Sequence, residues 1–139
     1  VAPKGAGSEN VSLVKILTPA EGVEGIKKLV LDTIINAGGK PCPPIVVGLG
    51  IGGNLEKSAL LAKEALLRDI DDEAENPYDR KLEQELLEEI NASGIGPMGF
   101  GGRTTALAVK VNSYPCHIAS LPVAINIQCH AARHKSRII

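Results

Sequence analysis

Three cysteines, and the histidine that follows the second of them, are the residues of this sequence best suited to chemistry. The cysteines are Cys42, Cys116 and Cys129, and His117 directly follows the second. An odd number of cysteines argues against a disulfide framework, and the absence of a C-x-x-C pair argues against a zinc knuckle or ribbon. By themselves, three well-separated cysteines are typical of buried thiols. Whether Cys42 does other chemistry depends on the segment that follows it.

That segment contains a possible phosphate-binding turn. Residues 48–53, GLGIGG, have the G-x-G-x-x-G spacing of dinucleotide-binding turns, and they lie between an apolar run at 45–47 and a helical segment. However, the helix leads into the charged run 69–73 instead of a second strand, and the prolines Pro43 and Pro44 crowd the start of the first strand. A non-catalytic nucleotide-binding or regulatory domain that uses the GLGIGG loop is therefore an alternative function.

Glycine is concentrated in three segments of the chain. They are KGAGSEN at 4–10, GLGIGGN at 48–54 and GIGPMGFGGRTT at 94–105. Each of them alone is typical of a tight turn between elements. Together they predict site loops that bring the backbone close to a ligand or a cluster, because glycine permits such approaches.

The composition excludes several classes of function. Fifteen Lys and Arg against sixteen Asp and Glu give a net charge of −1, so there is no basic surplus for nucleic acid or a membrane surface. No apolar run reaches the roughly 20 residues of a membrane helix, and no secretory signal is apparent, so we expect a cytoplasmic protein. Because the sequence opens at Val1 and not at Met, we expect a fragment or a processed piece of a longer chain.

Hydrophobic periodicity and capping residues place these features on predicted elements. A helix is predicted from a capping box at Thr18 and Glu21 to Gly38-Gly39, and Asn54 caps a second helix. The predicted strands are 11–17, 45–47, 104–112 and 121–128. The predicted later helices are 55–68, which Asn54 caps, and 80–90. A solvated linker is predicted at 69–76 and a glycine turn at 94–102. Helices alternate with strands, so we expect one domain over 1–139 of the α/β or α+β class, with a mixed sheet and flanking helices.

Four segments, taken in order, resemble a known family. They are KGAGSEN, CPPIVVGLGIGGNLEKSALLAKEALLR, INASGIGPMGFGGRTTALAVKV and YPCHIASLPVAINIQCHAAR. This order is similar to that of the class I fumarate hydratases and L-tartrate dehydratases, in the alpha subunit or the equivalent N-terminal domain of single-chain forms. The resemblance covers nearly all of the chain and corresponds to the later half of that alpha region.

The resemblance implies a 4Fe-4S cluster held by only three cysteines, with one iron open to substrate. Cys42 and Cys129 match two of the family's cluster ligands, and the third belongs to a C-Q-D-T-G motif that would lie upstream of this chain. Cys116 does not match a ligand position. An open iron suits the chemistry, since removing the hydroxyl of a 2-hydroxy acid needs a Lewis acid on the leaving oxygen and a base for the proton on carbon. We expect the chain alone to hold no intact cluster and to be inactive.

The resemblance also implies a catalytic residue and a substrate-binding loop. His117 matches an active-site histidine with an acid–base or orienting role. The KGAGSEN segment matches a loop usually written with three successive glycines, of which the middle one is Ala6 here. Gly7 would offer its amide to a substrate carboxylate, and Lys4 and Ser8 would support it.

The activity implied is the reversible hydration or dehydration of a four-carbon dicarboxylic acid, with fumarate and tartrate both open as substrates. The family's main carboxylate-binding arginines and a catalytic threonine lie in a beta subunit or C-terminal domain, so we expect such a partner and a dimer or heterotetramer. Arg103 and Arg133 could attract a dicarboxylate or be ordinary surface charges. His130 and His134 are interpreted as tail residues without a role.

Overall fold

The structure, a computed structural model, describes residues 1–139 and contains four strands and four α-helices. The strands are β1 (Leu13–Leu17), β2 (Ile45–Gly53), β3 (Ala106–Cys116) and β4 (Leu121–Gln128). The helices are α1 (Ala6–Glu9), α2 (Gly22–Ala37), α3 (Leu55–Ala65) and α4 (Pro77–Ala92), with short 3-10 turns at Pro19–Glu21 and Pro97–Gly99. No helix is both long and apolar enough to cross a membrane.

The strands form one mixed sheet in the order β1-β4-β2-β3. β2 runs parallel to β3 and antiparallel to β4, and β4 is also antiparallel to β1. Along the central ladder, Val46 lies opposite Gln128 and Ile51 lies opposite Val123. The expected α/β class with a mixed sheet and flanking helices is therefore confirmed.

Helices cover both faces of the sheet. Successive side chains of a strand point to opposite faces, so Val47 and Leu49 of β2 join the core under α2 and α4, whereas Gly48 and Gly50 face α3. The core between the sheet and the helices α2 and α4 is aliphatic, as the scarcity of aromatic residues requires. Its sixteen buried members are Leu17, Ile26, Val30, Ile34, Ile45, Val47, Leu49, Leu82, Leu86, Ile90, Ala106, Val109, Val111, Val123, Ile125 and Ile127.

A capping box starts the 3-10 turn that leads into α2, and ion pairs fix what α2 packs against. The Glu21 carboxylate accepts hydrogen bonds from the Thr18 amide at 2.7 Å and from the Thr18 hydroxyl at 2.9 Å, which confirms the predicted capping interaction. Farther along, the Lys27 ammonium bridges to Glu85 at 2.7 Å and to Glu89 at 3.0 Å. Hydrogen bonds to Glu85 and then Glu89 raise the pKa of Lys27, and they tie α2 to α4.

The GLGIGG segment is not a loop, and this prediction was wrong. Residues 48–53 form the second half of β2, in register with β3. A Cβ atom on Gly48 would lie 2.2 Å from the Ala62 carbonyl oxygen, and one on Gly50 would lie 2.0 Å from the Ser58 carbonyl oxygen. The glycines are there because α3 lies directly on the strand. The nucleotide-binding alternative therefore loses the turn on which it depended.

The other two glycine segments also differ from each other. In KGAGSEN, four residues form the short helix α1, and only residues 94–105 form the expected irregular connection. Of the three predicted loops, one is a strand, one is largely a helical turn and one is a loop.

The acidic segment 69–76 is more tightly held than a solvated linker. Most of its side chains are exposed, as expected, but the Lys110 ammonium, 3 % exposed, donates hydrogen bonds to the backbone oxygens of Ile70 and Asp72 and to the Asp72 carboxylate. Arg68 bonds the same carboxylate at 3.0 Å. A buried lysine of β3 therefore pins the connection between α3 and α4 to the sheet.

β1 is an edge strand with an open outer side. It pairs only with β4, and its first four residues are exposed, including the apolar side chains of Leu13, Val14 and Ile16 at 37 %, 39 % and 50 %. Leu60, on the outer side of α3, is also 49 % exposed.

Glu9 anchors the N-terminal segment to the sheet and to α3. Its carboxylate accepts hydrogen bonds from the Asn126 amide at 2.8 Å and from Lys63, and it pairs with Lys4 at 3.1 Å. Burial raises the pKa of Glu9, but the bonds from Lys63, Asn126 and Lys4 outweigh it and lower the pKa from its ordinary value of 4.5 to about 2.

We expect Gly50→Ala, in the full-length protein that carries this chain, to lower the free energy of unfolding by about 1–3 kcal/mol, because the new methyl group overlaps the α3 backbone. Chemical denaturation measures the change. Gly5→Ala is the matched control: Gly5 has a φ of −70° and its Cβ would meet only Ser8 Oγ at 3.7 Å, so the cost is limited to the poorer N-cap that alanine provides for α1, about 1 kcal/mol or less. Equal effects of the two substitutions would contradict this packing argument.

We expect Glu9→Gln to lower the free energy of unfolding at pH 7. A carboxylate whose pKa is lower in the folded than in the unfolded protein stabilises the fold at pH values above the unfolded pKa. For Glu9 this contribution is lost as the pH falls from 4.5 toward 2. Denaturation of both proteins across this range should show the wild-type advantage shrinking as the pH falls. An advantage that is constant from pH 7 to pH 2 would show that the ionised carboxylate is not its source.

Candidate functional site

Cys42 and Cys129 lie at the same end of the strands, where β2 begins and β4 ends. This end of the sheet is called the cysteine edge below. Cys42 precedes β2 and Cys129 follows β4, and these strands are antiparallel, with Val46 opposite Gln128. The backbone oxygen of Cys42 lies 3.0 Å from Nδ1 and 3.5 Å from the backbone nitrogen of His130, the residue next to Cys129. Both thiols are free and partly exposed, so the interpretation as buried thiols is wrong for them.

Close backbone contacts hold the segment around Cys42. Cys42 has a φ of +57°, which side chains rarely adopt, and its amide donates to the Gly39 oxygen at 3.1 Å. The Met98 amide donates to the Pro43 oxygen at 2.8 Å. A Cβ atom on Gly39 would lie 2.7 Å from the Met98 oxygen, so the third glycine segment packs directly against the approach to Cys42.

The KGAGSEN segment reaches the same edge. The nearest atom to a Cβ on Gly7 would be the Lys40 oxygen, at 3.9 Å. Gly7 is exposed in the first turn of α1, and its amide has no acceptor in the chain. Ser8 is buried and donates to the Gly5 oxygen at 2.9 Å, while the Lys4 ammonium donates to the Ser8 hydroxyl at 3.0 Å. Lys4 and Ser8 therefore bond to each other behind the free amide, and their predicted supporting role stays a prediction.

A cavity of about 190 Å³ opens beside this edge. Its lining includes Lys4, Lys63, Asn126, Gln128 and Arg133. The amide nitrogen of Asn126 donates to Glu9 and Ser12, and that of Gln128 donates to the Pro3 oxygen, but their buried oxygens, Oδ1 and Oε1, have no donor. The cavity thus presents cationic side chains, whereas these two buried oxygens are shielded from it.

His117 lies at the opposite end of the sheet. It begins the turn between β3 and β4, where its backbone oxygen accepts from the Ser120 amide at 3.0 Å and its Nδ1 accepts from the Ala119 amide at 3.1 Å. Since Nδ1 is an acceptor, the proton of the neutral ring is on Nε2, and the exposed ring can donate it outward. Cys116 is exposed beside it, and its sulfur lies 3.2 Å from the Ser120 oxygen.

The length of β4 separates His117 from the two cysteines of the other edge. The strand has eight residues, and its seven steps of about 3.3 Å put roughly 23 Å between its end residues. One chain therefore does not bring His117 to the same small ligand as Cys42, Cys129 and Gly7. The sequence resemblance gave no sign of this separation.

The interpretation of His130 as a tail residue without a role was wrong, since its ring bonds the Cys42 backbone. No local pattern marks this contact; its only signal is its position beside Cys129. Arg133 lines the cavity, as does His134, while Arg103 is exposed in the turn before β3.

The cysteine edge meets part of what a cluster needs. It presents two free thiols on segments joined by the backbone contact between 42 and 130, and thiolates are the ligands of iron–sulfur clusters. No three His, Cys, Asp or Glu side chains of the chain converge well enough to hold a metal ion. The two cysteines fit a cluster whose remaining ligand comes from outside this chain, as the resemblance implies.

Comparison with known proteins identifies relatives over almost the whole chain. The family profile described as fumarate hydratase (fumerase) matches residues 1–137. A Methanocaldococcus jannaschii protein, named provisionally as L(+)-tartrate dehydratase subunit alpha, is 60 % identical over 131 residues, which cover 94 % of this chain and 46 % of that protein. The L(+)-tartrate dehydratase subunit alpha of Escherichia coli K12 is 36 % identical over 125 residues, 90 % of this chain and 41 % of that subunit.

The chain thus spans less than half the length of these relatives. The match nevertheless runs through all four segments on which the resemblance was based, from the first residue to residue 137. The chain belongs to the class I fumarate hydratase and L-tartrate dehydratase family, as its motifs predicted.

Proposed function

We propose that this chain is part of the alpha component of a hydro-lyase that adds water to, or removes it from, a four-carbon dicarboxylic acid. The observation that carries the proposal is the convergence of Cys42, Cys129 and the free Gly7 amide at one edge of the sheet. The names of the relatives, L(+)-tartrate dehydratase alpha subunits, support the same class of reaction.

Cys42 and Cys129 would hold a 4Fe-4S cluster together with a third cysteine from outside this chain. When bound, such a cluster supplies a Lewis acid for the hydroxyl group that leaves or enters. The chain's own contribution is to fix the backbone of the two cysteine segments and to leave them partly exposed. The exposure matters because a cluster held at a buried edge would be out of reach of substrate.

The cavity at the cysteine edge, which neither cysteine lines, has cationic groups suited to a hydroxy acid. Lys4, Lys63 and Arg133 provide positive charge, which Glu9 offsets only in part, so a carboxylate is favoured there. Gly7 adds a backbone donor for a carboxylate at the neighbouring position.

His117 would complete the site of a second copy of the chain. Its exposed ring has an Nε2–H group suited to donating a proton or a hydrogen bond, but β4 holds it far from the cysteines of its own copy. A dimer that brings the β3–β4 turn of one copy to the cysteine edge of the other would place the His117 ring and the two cysteines at one site. The beta partner expected for an alpha subunit would add the remaining substrate contacts.

We expect Cys42→Ser to abolish cluster assembly, because it removes one thiolate ligand. The full-length protein is purified without oxygen together with its beta partner, and iron and acid-labile sulfide are measured; the wild type should contain about four of each per protomer. Cys116→Ser is the matched control and should keep both. Full iron and sulfide in Cys42→Ser would refute this ligand assignment.

We expect complementation between two inactive variants, Cys42→Ala and His117→Ala, co-expressed with distinguishable tags. In a mixed dimer, one of the two sites combines an intact cluster with an intact histidine, so the doubly tagged dimers should show about half of the wild-type activity. Dicarboxylate turnover by the doubly tagged species is the measurement. If the mixed dimers form and remain inactive, His117 does not serve the partner's site.

A further inference from the structure

We propose that His130 is a positioning residue that holds the backbone of Cys42 and thereby sets how Cys42 and Cys129 are presented to a metal. The proposal rests on the proposed function for its biological purpose, because the metal in question is the cluster. The contact itself joins the Cys42 carbonyl group to the His130 imidazole ring, and its expected effect is on the affinity of the two thiols for any metal ion that binds thiolates.

The contact defines the state of the imidazole ring. Nδ1 of His130 lies 3.0 Å from the Cys42 oxygen, and the His130 amide nitrogen lies 3.5 Å from the same atom. A carbonyl oxygen only accepts hydrogen bonds, so Nδ1 carries the proton and Nε2 does not in the neutral ring. The ring bond is the stronger of the two contacts, since 3.5 Å is long for a hydrogen bond from an amide.

Cys42 needs external contacts to keep its conformation. Its φ of +57° lies in the left-handed region, which is unfavourable for a residue with a Cβ atom, and the following residue, Pro43, restricts the backbone further. Strained residues persist when their surroundings hold them. Here the holding contacts are the Cys42 amide to Gly39, the Met98 amide to the Pro43 oxygen, and His130.

His130 is the contact that links one cysteine segment to the other. The β2–β4 ladder ends where Val46 meets Gln128, and beyond it the backbone contact between the two segments is the one at Cys42 and His130. Because His130 is covalently attached to Cys129, its bond fixes the backbone of both cysteines together. Partners of this kind, which orient ligands without touching the metal, typically change metal affinity by 10- to 100-fold when removed.

The test compares His130→Ala with His130→Asn in the full-length protein that carries this chain, prepared without metal and under reducing conditions. The Asn amide places a donor near the position of Nδ1, whereas Ala removes it. Ser136→Ala is the matched control, because Ser136 is an exposed residue of the same tail and lies outside the lining of the cavity. The probe is Cd²⁺ alone, titrated by its thiolate absorption, and thermal unfolding of each metal-free protein is measured in parallel.

We expect His130→Ala to bind Cd²⁺ about tenfold or more weakly than wild type, with the metal-free unfolding temperature close to that of the control. His130→Asn should recover most of the affinity. Unchanged Cd²⁺ affinity in His130→Ala would overturn the proposal. An equal loss of affinity in the Ala and Asn variants would also overturn it, because it would mean that the ring itself binds the metal. A wild-type protein that binds Cd²⁺ but assembles no iron and sulfide would refute the cluster while leaving this test intact.

Discussion

In the ladder between β2 and β4, Val46 lies opposite Gln128 and Ile51 opposite Val123, and this register decides where the two candidate cysteines and His117 lie. Because the strands are antiparallel, the start of β2 and the end of β4 share one edge, which brings together Cys42 and Cys129. The same geometry sends the β3–β4 turn to the other edge. A shift of one residue would exchange the faces of β4 and separate the buried Asn126 and Gln128 from their partners.

The glycines of β2 allow a helix to lie on the strand at very short distance. Gly48 and Gly50 face the backbone of α3, while Val47 and Leu49 on the other face fill the aliphatic core. One strand thus carries two kinds of packing: side-chain interdigitation on one side and direct backbone contact on the other. This tight fit anchors α3, whose Lys63 in turn binds Glu9 and secures the N-terminal segment near Cys42.

Local signals predicted much of the fold but little of the site's geometry. β4 was predicted to the residue, and the capping interaction at Thr18 was correct, because both depend on neighbouring residues. The strand role of Gly48–Gly53 depends on a helix packed across the sheet, so a local glycine pattern could not reveal it. The cysteine assignments came from family motifs, and neither the separation of His117 from them nor the contact of His130 follows from any spacing, since both are set by strand pairing.

The open side of β1 has a consequence for work with this chain by itself. An edge strand offers unpaired backbone amides and carbonyls to any other strand, and natural edges usually oppose this with charge or proline. β1 has only Lys15 for that purpose among Leu13, Val14 and Ile16, all of which are more than a third exposed. The chain produced alone would accordingly tend to associate through its sheets as its concentration rises.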